Sequence, residues 1–441
     1  MGCRVFAHTA APLAALTFAL LIAPGRQAAF AQAADPSAAD PTPQAAPPIT
    51  ETSRPKGLAD EPGFLSSAID FANNFGGEGT GRPKSGFYPE VSNMITGSGW
   101  LSIGPGYRQY FADDTMMFET SAALSWRMYK VAQARLEAQQ LANGHLVLGT
   151  QGIWQDDTQV SYFGIGPGIS EDDRSQYRLQ THDIVGYGHV LPNDWLSVSG
   201  EFGWLGHPKF MEPGGTFKRD FPNTRDAFPF DPGSSLSVQP ALMHSEASIA
   251  ADTRDHRGHP TSGFLYRGAL TNYWDHTYDD FFTFHTWEGE ALQYIPVGDG
   301  RVVFALHGWT VAAQQQDGRD IPLYLQPSLG GSRTLRDYHD YQFHDRNLLV
   351  LNAESRIAVW THLDAALFVD AGNVAPRFSD LNLDKTSYGV GARLHNETTT
   401  LGRIDLAHGA QGWRFNISTT EPLRLPRTRT RRVAAMIPFA P

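Results

Sequence analysis

Residues 329–370 read LGGSRTLRDYHDYQFHDRNLLVLNAESRIAVWTHLDAALFVD, and the alternation within them decides the fold. Gly330 and Gly331 open a long polar loop that carries Arg336, and two alternating segments follow almost without a break. Written as a strand over 346–359, the chain puts Leu349, Leu351, Ala353, Ile357 and Val359 on one face and Asn352, Glu354 and Arg356 on the other. In 361–371 Leu363, Ala365, Leu367, Val369 and Ala371 are apolar, opposed by Asp364, Phe368 and Asp370. Adjacent strands with one hydrocarbon-like face and one charged face describe the wall of a transmembrane β-barrel, whose outside meets lipid and whose inside is wet.

The totals agree with that reading. The chain has 441 residues, of which 41% are hydrophobic and 12% aromatic, with 43 glycines. Its mean hydropathy of −0.33 resembles that of a soluble protein, but barrel strands hide their apolar half by alternation. Beyond about residue 25 no run of roughly 20 apolar residues exists, which excludes a helical membrane protein.

Working outward, 1–33 predicts a secretory signal: Arg4, an apolar stretch around Ala10–Ala23, and Ala31-Gln32-Ala33 as a small-x-small cleavage site. Cleavage there removes the sole cysteine, Cys3, so disulfides and thiol chemistry are excluded from the remainder. It also removes Arg4 and Arg26 but no acid, taking the formal net charge from −11 to −13, which argues against nucleic acid as a partner. Residues 34–57 are rich in Pro, Ala and Thr and read as a disordered linker. In 58–86, a short periplasmic segment, Asp60 suits an N-cap, Phe64, Ala68, Phe71 and Phe75 suit one helical face, and Gly76-Gly77 a stop.

From about residue 87 the period becomes two. Strands are expected at 87–95, 98–110, 115–127, 129–140, 144–156, 174–188, 194–205, 236–251, 262–275, 281–296, 301–315, 346–359, 361–373, 385–396, 399–409 and 412–423. That makes about 16, an even number, in one antiparallel all-β barrel over 87–423. Tight links at 112–115, 141–144, 191–194, 297–300 and 396–399 alternate with longer ones at 157–173, 206–235, 316–345 and 374–384. Outer-membrane barrels show this asymmetry between periplasmic turns and outer loops. A soluble sandwich would not need one apolar face on nearly every strand, and no propeller-length repeat is present. Residues 424–441 then form a tail with five arginines, suited to anionic headgroups.

Three stretches carry a resemblance. AADTRDHRGHPTSGFLYRG at 250–268 pairs an Asp-x-Arg-Asp with a Pro-x-x-Gly turn, LGGSRTLRDYHDYQF at 329–343 has a Gly-Gly followed by an arginine and an aromatic, and NAESRI precedes ALFVDAGNV with its Phe368-x-Asp370. YFGIGPGISEDDRSQYRL at 162–179 is a weaker fourth. Together they resemble the BamA/TamA-type outer-membrane assembly superfamily, also called bacterial surface antigens. The resemblance implies a bacterial outer-membrane barrel whose sixth outer loop folds into the lumen. Within the loop motif Gly330, Gly331, Leu335, Arg336, Asp337 and Tyr338 match in position, and Arg336 would pair with Asp370 and Glu354 as a lumenal lock. Glu354 and Asp370 share the inward parity on neighbouring strands, which agrees with that reading.

Strand 385–396 begins its inward face Ser387, Gly389, Gly391, leaving room either for an inserted loop or for strong curvature. Two departures from the family stand out. Asp337 replaces the usual glycine after the arginine, where it would tolerate a left-handed backbone or pair with Arg336. The roughly fifty residues between signal and first strand cannot hold a POTRA domain, the periplasmic module that recruits clients in this family. Gly412, Phe415 and Ile417 resemble the last-strand assembly signal, with Leu423 in place of the final aromatic.

Other chemistry is not called for. His339, Asp340, His344 and Asp345, with His256 and His259, are metal-ligand types, but no spacing fixes a tetrahedral site, so neither metal nor cofactor is expected. No Gly-x-Ser-x-Gly elbow is present and no catalytic residue is assigned, although a lipid-modifying enzyme at the rim would need only a Ser/His/acid set. The sequence therefore predicts an outer-membrane barrel that aids insertion or passage of a client, with outer-membrane lipid and a client or periplasmic protein as partners. A structural barrel or narrow pore without client activity is the alternative.

Overall fold

The computed structural model describes residues 85–92, 102–396, 399–418 and 423, together with 58, 60–63, 65–67 and 69. Sixteen long strands run as one up-and-down meander. They are β1 (Gly86–Ser92), β2 (Ser102–Phe111), β3 (Met116–Ser125), β4 (Lys130–Leu141), β5 (Leu146–Tyr162), β6 (Ser175–Asn193), β7 (Leu196–Leu205) and β8 (Leu242–Asp252). The second half comprises β9 (Gly263–Asp275), β10 (Phe284–Val297), β11 (Val302–Gln315), β12 (Asn347–Trp360), β13 (Leu363–Ala375), β14 (Lys385–His395), β15 (Thr400–Gly409) and β16 (Gly412–Ser418). Each pairs antiparallel with the next. No helix among the described residues is long and apolar enough to cross a membrane; the strands do that work in this transmembrane β-barrel.

The barrel is built inside out. Outward positions hold exposed Phe304, Leu306, Leu351, Leu367, Val369, Val390 and Ile404, while inward positions bury Glu119, Glu137, His307, Asn352, Glu354, Asp370, Arg393 and Asp405. Alternation forces this, because the opposite register would place those charges in hydrocarbon. At one end the links are tight: Ala112, Asp113 and Asp114 take φ of 54°, 54° and 61°, and Ala142 and Asn143 take 50° and 59°. Asp and Asn tolerate that left-handed region better than most residues.

At the other end the chain extends further than the alternation suggests. Strand β5 reaches Tyr162, beyond the expected limit at 156, so the first part of the expected loop at 157–173 is strand. Asp157, Thr158, Gln159 and Val160 are all buried there, because the 206–241 link lies over them; Gly214 N donates to the Thr158 carbonyl at 2.9 Å. Burial on both faces erases the period-two signal. This cap encloses an apolar cluster that includes Tyr162, Tyr177, Leu205, Phe210, Leu323 and Tyr324.

Expected boundaries shift elsewhere too. The strand written at 236–251 starts at Leu242, and the one written at 412–423 is strand over Gly412–Ser418, with 419–422 outside the described residues. Leu423 does not continue an outward face: it is buried against inward-facing Leu292, Tyr294, Val303 and Ala305. Near the N-terminal side, Gly63, Leu65, Ser66, Ser67 and Ile69 are helical, with Leu65 and Ile69 buried. Phe64, Ala68, Phe71 and Phe75, the face expected from sequence, lie outside the described residues, as do 1–57 and 424–441.

Candidate functional site

The long link between β11 and β12 turns back into the barrel. A two-residue strand pair, Ser328–Leu329 with Phe343–His344, closes its neck. Gly330 and Gly331 follow at φ of 111° and 94°, and a Cβ at Gly330 would stand 2.2 Å from the His339 carbonyl oxygen. Only glycine allows both the backbone shape and that approach. Beyond it the tip folds on itself, Gly331 N donating to the Tyr338 carbonyl and Tyr338 N to the Leu335 carbonyl, both at 3.1 Å. Leu335 and Tyr338 then pack with Phe343 on lumenal Leu348, Val350 and Val374. An apolar patch on the inner wall thus seats the loop, and the tip delivers Arg336.

Arg336 is 1% exposed. Its Nη2 donates to Asp370 at 2.9 Å, its Nε reaches both Asp370 oxygens at 3.2 and 3.1 Å, and its backbone N–H donates to the same carboxylate at 3.2 Å. Nη1 donates to Glu354 at 2.7 Å. The fork geometry of a guanidinium satisfies both acids at once.

The wall prepares both acids. Asp370 also accepts from Asn352 at 2.8 Å and Ser387 at 2.9 Å. Glu354 accepts from Arg393 at 2.7 and 3.0 Å and from Arg356 at 3.2 Å. Asp405 lies 2.6 Å from Arg393, 3.1 Å from Arg403 and 3.8 Å from Arg336. Arg403 donates onward to the Ser332 carbonyl in the loop at 2.6 Å. Four arginines and three acids therefore form one buried set, which holds together only if every member is paired.

Gly389 and Gly391 do leave space, but wall side chains occupy it rather than the loop. A Cβ at Gly389 would meet the Phe368 ring at 2.6 Å, and one at Gly391 would meet Asp405 at 2.4 Å and Arg393 at 2.6 Å. Asp337 differs from both readings offered for it. Its backbone is not left-handed; the tip residue with positive φ is Tyr341, at 59°. Its carboxylate accepts from Gln411 N at 2.9 Å, and its carbonyl accepts from Arg414 Nε at 2.7 Å. The space for that carboxylate comes from Gly409, whose Cβ would stand 2.6 Å from Asp337 Oδ2. Asp337 thus ties the loop to the β15–β16 hairpin instead of competing for Arg336.

Between the loop tip and β5 lies a cavity of about 220 Å³ bordered by Arg127, Arg174, Arg219 and Arg414, with Asp157 and Asp340. His339 borders it and stacks on Phe163 with centroids 5.7 Å apart. Burial, and then Arg414, Arg174 and Arg219, push the His339 pKa down to about 3. Of the histidines and acids weighed from sequence as metal-ligand types, His339, Asp340, His344, Asp345 and His256 form no common cluster among the described residues. His259 does, with partners more than a hundred residues away.

Sequence reading missed Arg356, Arg393, Arg403 and Asp405 as members of the network. Their inward parity was a usable signal. The register sets Arg393 opposite Arg403, and two like charges facing each other across strands require an acid close by.

Residues 221–421 match the Omp85 superfamily domain. BamA from Haemophilus ducreyi lacking POTRA domains 1–3 superposes with a TM-score of 0.54 at 13% identity, over 76% of this chain and 71% of that one. CdiB from Escherichia coli superposes with a TM-score of 0.46 at 15% identity, over 74% of this chain and 59% of that one. At such identities the likeness to BamA speaks to the fold alone. No curated protein matches the sequence. The matched segment begins in the link before β8 and includes the inserted loop and every member of the arginine–carboxylate network.

Proposed function

Because this chain belongs to the Omp85 superfamily, through its domain at residues 221–421, we propose that it aids insertion or passage of a client protein at the bacterial outer membrane. The client crosses at the seam between β1 and β16, not through the lumen. The supporting observation is the filled lumen. The lumen holds a loop fixed by a buried ionic network, so the wall and not the lumen is left as the route.

In this reading 1–33 is the export signal, 34–57 a linker and 424–441 a basic tail at anionic headgroups. The tight-turn end faces the periplasm. The Arg336–Asp370–Glu354 group acts as the lock that keeps the loop seated, with no catalytic role.

Cysteine pairs test the seam, one member in Gly86–Ser92 and the other in Gly412–Ser418. The background is clean, because Cys3 is the sole cysteine and lies in the proposed signal. Oxidation should abolish complementation of a deletion strain, and reductant should restore it. If a fully crosslinked seam complements as well as wild type, seam opening is not the mechanism, and a structural barrel without client activity becomes the better account.

A further inference from the structure

At the tight-turn end, the ten residues 253–262 that join β8 to β9 reach the inner wall of β12–β15. Thr400 N donates to the Gly258 carbonyl at 3.0 Å, and Arg356 Nη1 donates to the Pro260 carbonyl at 3.2 Å. This contact brings His259 against Asp364 at the start of β13 and His395 at the end of β14. His259 and Asp364 are 4% and 7% exposed.

The ligand atoms of all three lie within 4.8 Å of one another. His259 Nε2 stands 3.2 Å from one Asp364 oxygen and His395 Nε2 stands 3.4 Å from the other. Donors about 2.1 Å from a tetrahedral ion are roughly 3.4 Å apart; each Nε2 stands at about that distance from a different Asp364 oxygen, so the carboxylate must turn to offer one oxygen to both.

The second ring nitrogens are also placed. His395 Nδ1 is 2.9 Å from the Asn396 carbonyl, and His259 Nδ1 is 3.0 Å from Thr400 Oγ1. A carbonyl can only accept, so His395 carries its proton on Nδ1 when neutral, and its Nε2 lone pair then faces a carboxylate oxygen. Two acceptors 3.4 Å apart need something positive between them. A proton on His395 Nε2 alone supplies such a charge, but protons on both rings repel, because the imidazoles stack with centroids 3.8 Å apart and planes 7° from parallel. A metal ion takes both Nε2 lone pairs and one carboxylate oxygen together, while each Nδ1 keeps the partner that orients its ring.

The geometry points to a divalent late transition-metal site, Zn²⁺ first, formed by His259 Nε2, His395 Nε2 and Asp364, with the remaining coordination position left for solvent. Two imidazoles with one carboxylate suit Zn²⁺ better than the harder ions Mg²⁺ or Ca²⁺. Coordination requires at least one ring to turn well out of the parallel stack so that the in-plane lone pairs converge. The ion then clamps the 253–262 link to β13 and β14 and closes that end of the barrel.

The test uses the full chain in detergent, purified without a polyhistidine tag. Zn²⁺ is titrated calorimetrically, and Co²⁺ is followed by its visible ligand-field absorption. Wild type should bind one equivalent of each metal. The pair His259→Ala and His395→Ala should weaken Zn²⁺ binding at least 100-fold, and Thr400→Val, which alters an orienting partner, by about 10- to 100-fold. His256→Ala, in the same link but outside the cluster, should bind as wild type does. Hydrogen exchange on unaltered protein gives a readout that needs no variant, with amides in 253–262 slowing when Zn²⁺ is added. Absence of one-equivalent binding in wild type, unchanged affinity in the double variant, or unchanged exchange in the link would each overturn the site.

Discussion

The guanidinium carbon of Arg336 lies 3.5 Å from the centre of the Phe368 ring. The loop cation is therefore stacked on a wall aromatic while its edge is bound by Asp370 and Glu354. Gly389 on the neighbouring strand makes this possible, since a Cβ there would displace the ring. Three strands thus cooperate to receive one side chain: β12 supplies Glu354, β13 supplies Phe368 and Asp370, and β14 supplies the vacancy.

Removing Arg336 leaves Asp370 facing only Asn352, Ser387 and backbone, while Glu354 keeps Arg356 and Arg393. Arg336→Ala should cost about 3–5 kcal/mol, the usual penalty for stranding one member of a buried ion pair. Arg336→Lys should recover less than half, because a point charge neither forks between two acids nor stacks as a plane. Urea unfolding of the detergent-solubilised barrel measures both.

Glu354 accepts from three arginines, so Glu354→Gln should destabilise more than Asp370→Asn. Pairing Glu354→Gln with Arg393→Gln should cost less than the two changes separately, with a coupling above about 1 kcal/mol. Additive losses in that cycle would mean that the arginines and the acid do not act as one unit.

Asp337→Ala should lower stability by about 1.5–3 kcal/mol, the range for a hydrogen bond to a charged group, through loss of the contact with Gln411 N. Protease nicking within 329–343 is the readout. Unchanged nicking would show that the tie to the β15–β16 hairpin is dispensable.

The seated loop should also loosen in acid. His339 has an ordinary pKa near 6.5 when the loop is out and one of about 3 when it is in, because burial and nearby arginines disfavour the cation. The seated loop keeps His339 neutral, so its stability is fully present above about pH 6.5 and falls as pH drops from there towards 3. Glu171, with its nearest oxygen 3.9 Å away, is half exposed and too weak to reverse the sign. Protease access to 329–343 should rise between pH 7 and pH 4, and His339→Asn should flatten that rise.

Much of the barrel could be read from alternation, because each strand in the membrane must separate a lipid face from a lumenal one. The inward parity of Glu354 and Asp370 was legible for that reason. Legibility failed where the separation ends. Residues 157–162 are covered on both faces, so a strand read as a loop, and Leu423 leaves the wall for an inward apolar cluster. The cluster of His259, Asp364 and His395 was hidden for another reason. It depends on how far the 253–262 link reaches across the barrel end, and no local pattern encodes that distance.

The most direct measurement is planar-bilayer conductance of the purified barrel, wild type beside Arg336→Ala. A lumen filled by a loop that Arg336 holds predicts little or no steady conductance in wild type and larger, fluctuating openings in the variant. A wide, steady, ohmic pore in wild type, or identical traces from the two proteins, would contradict it.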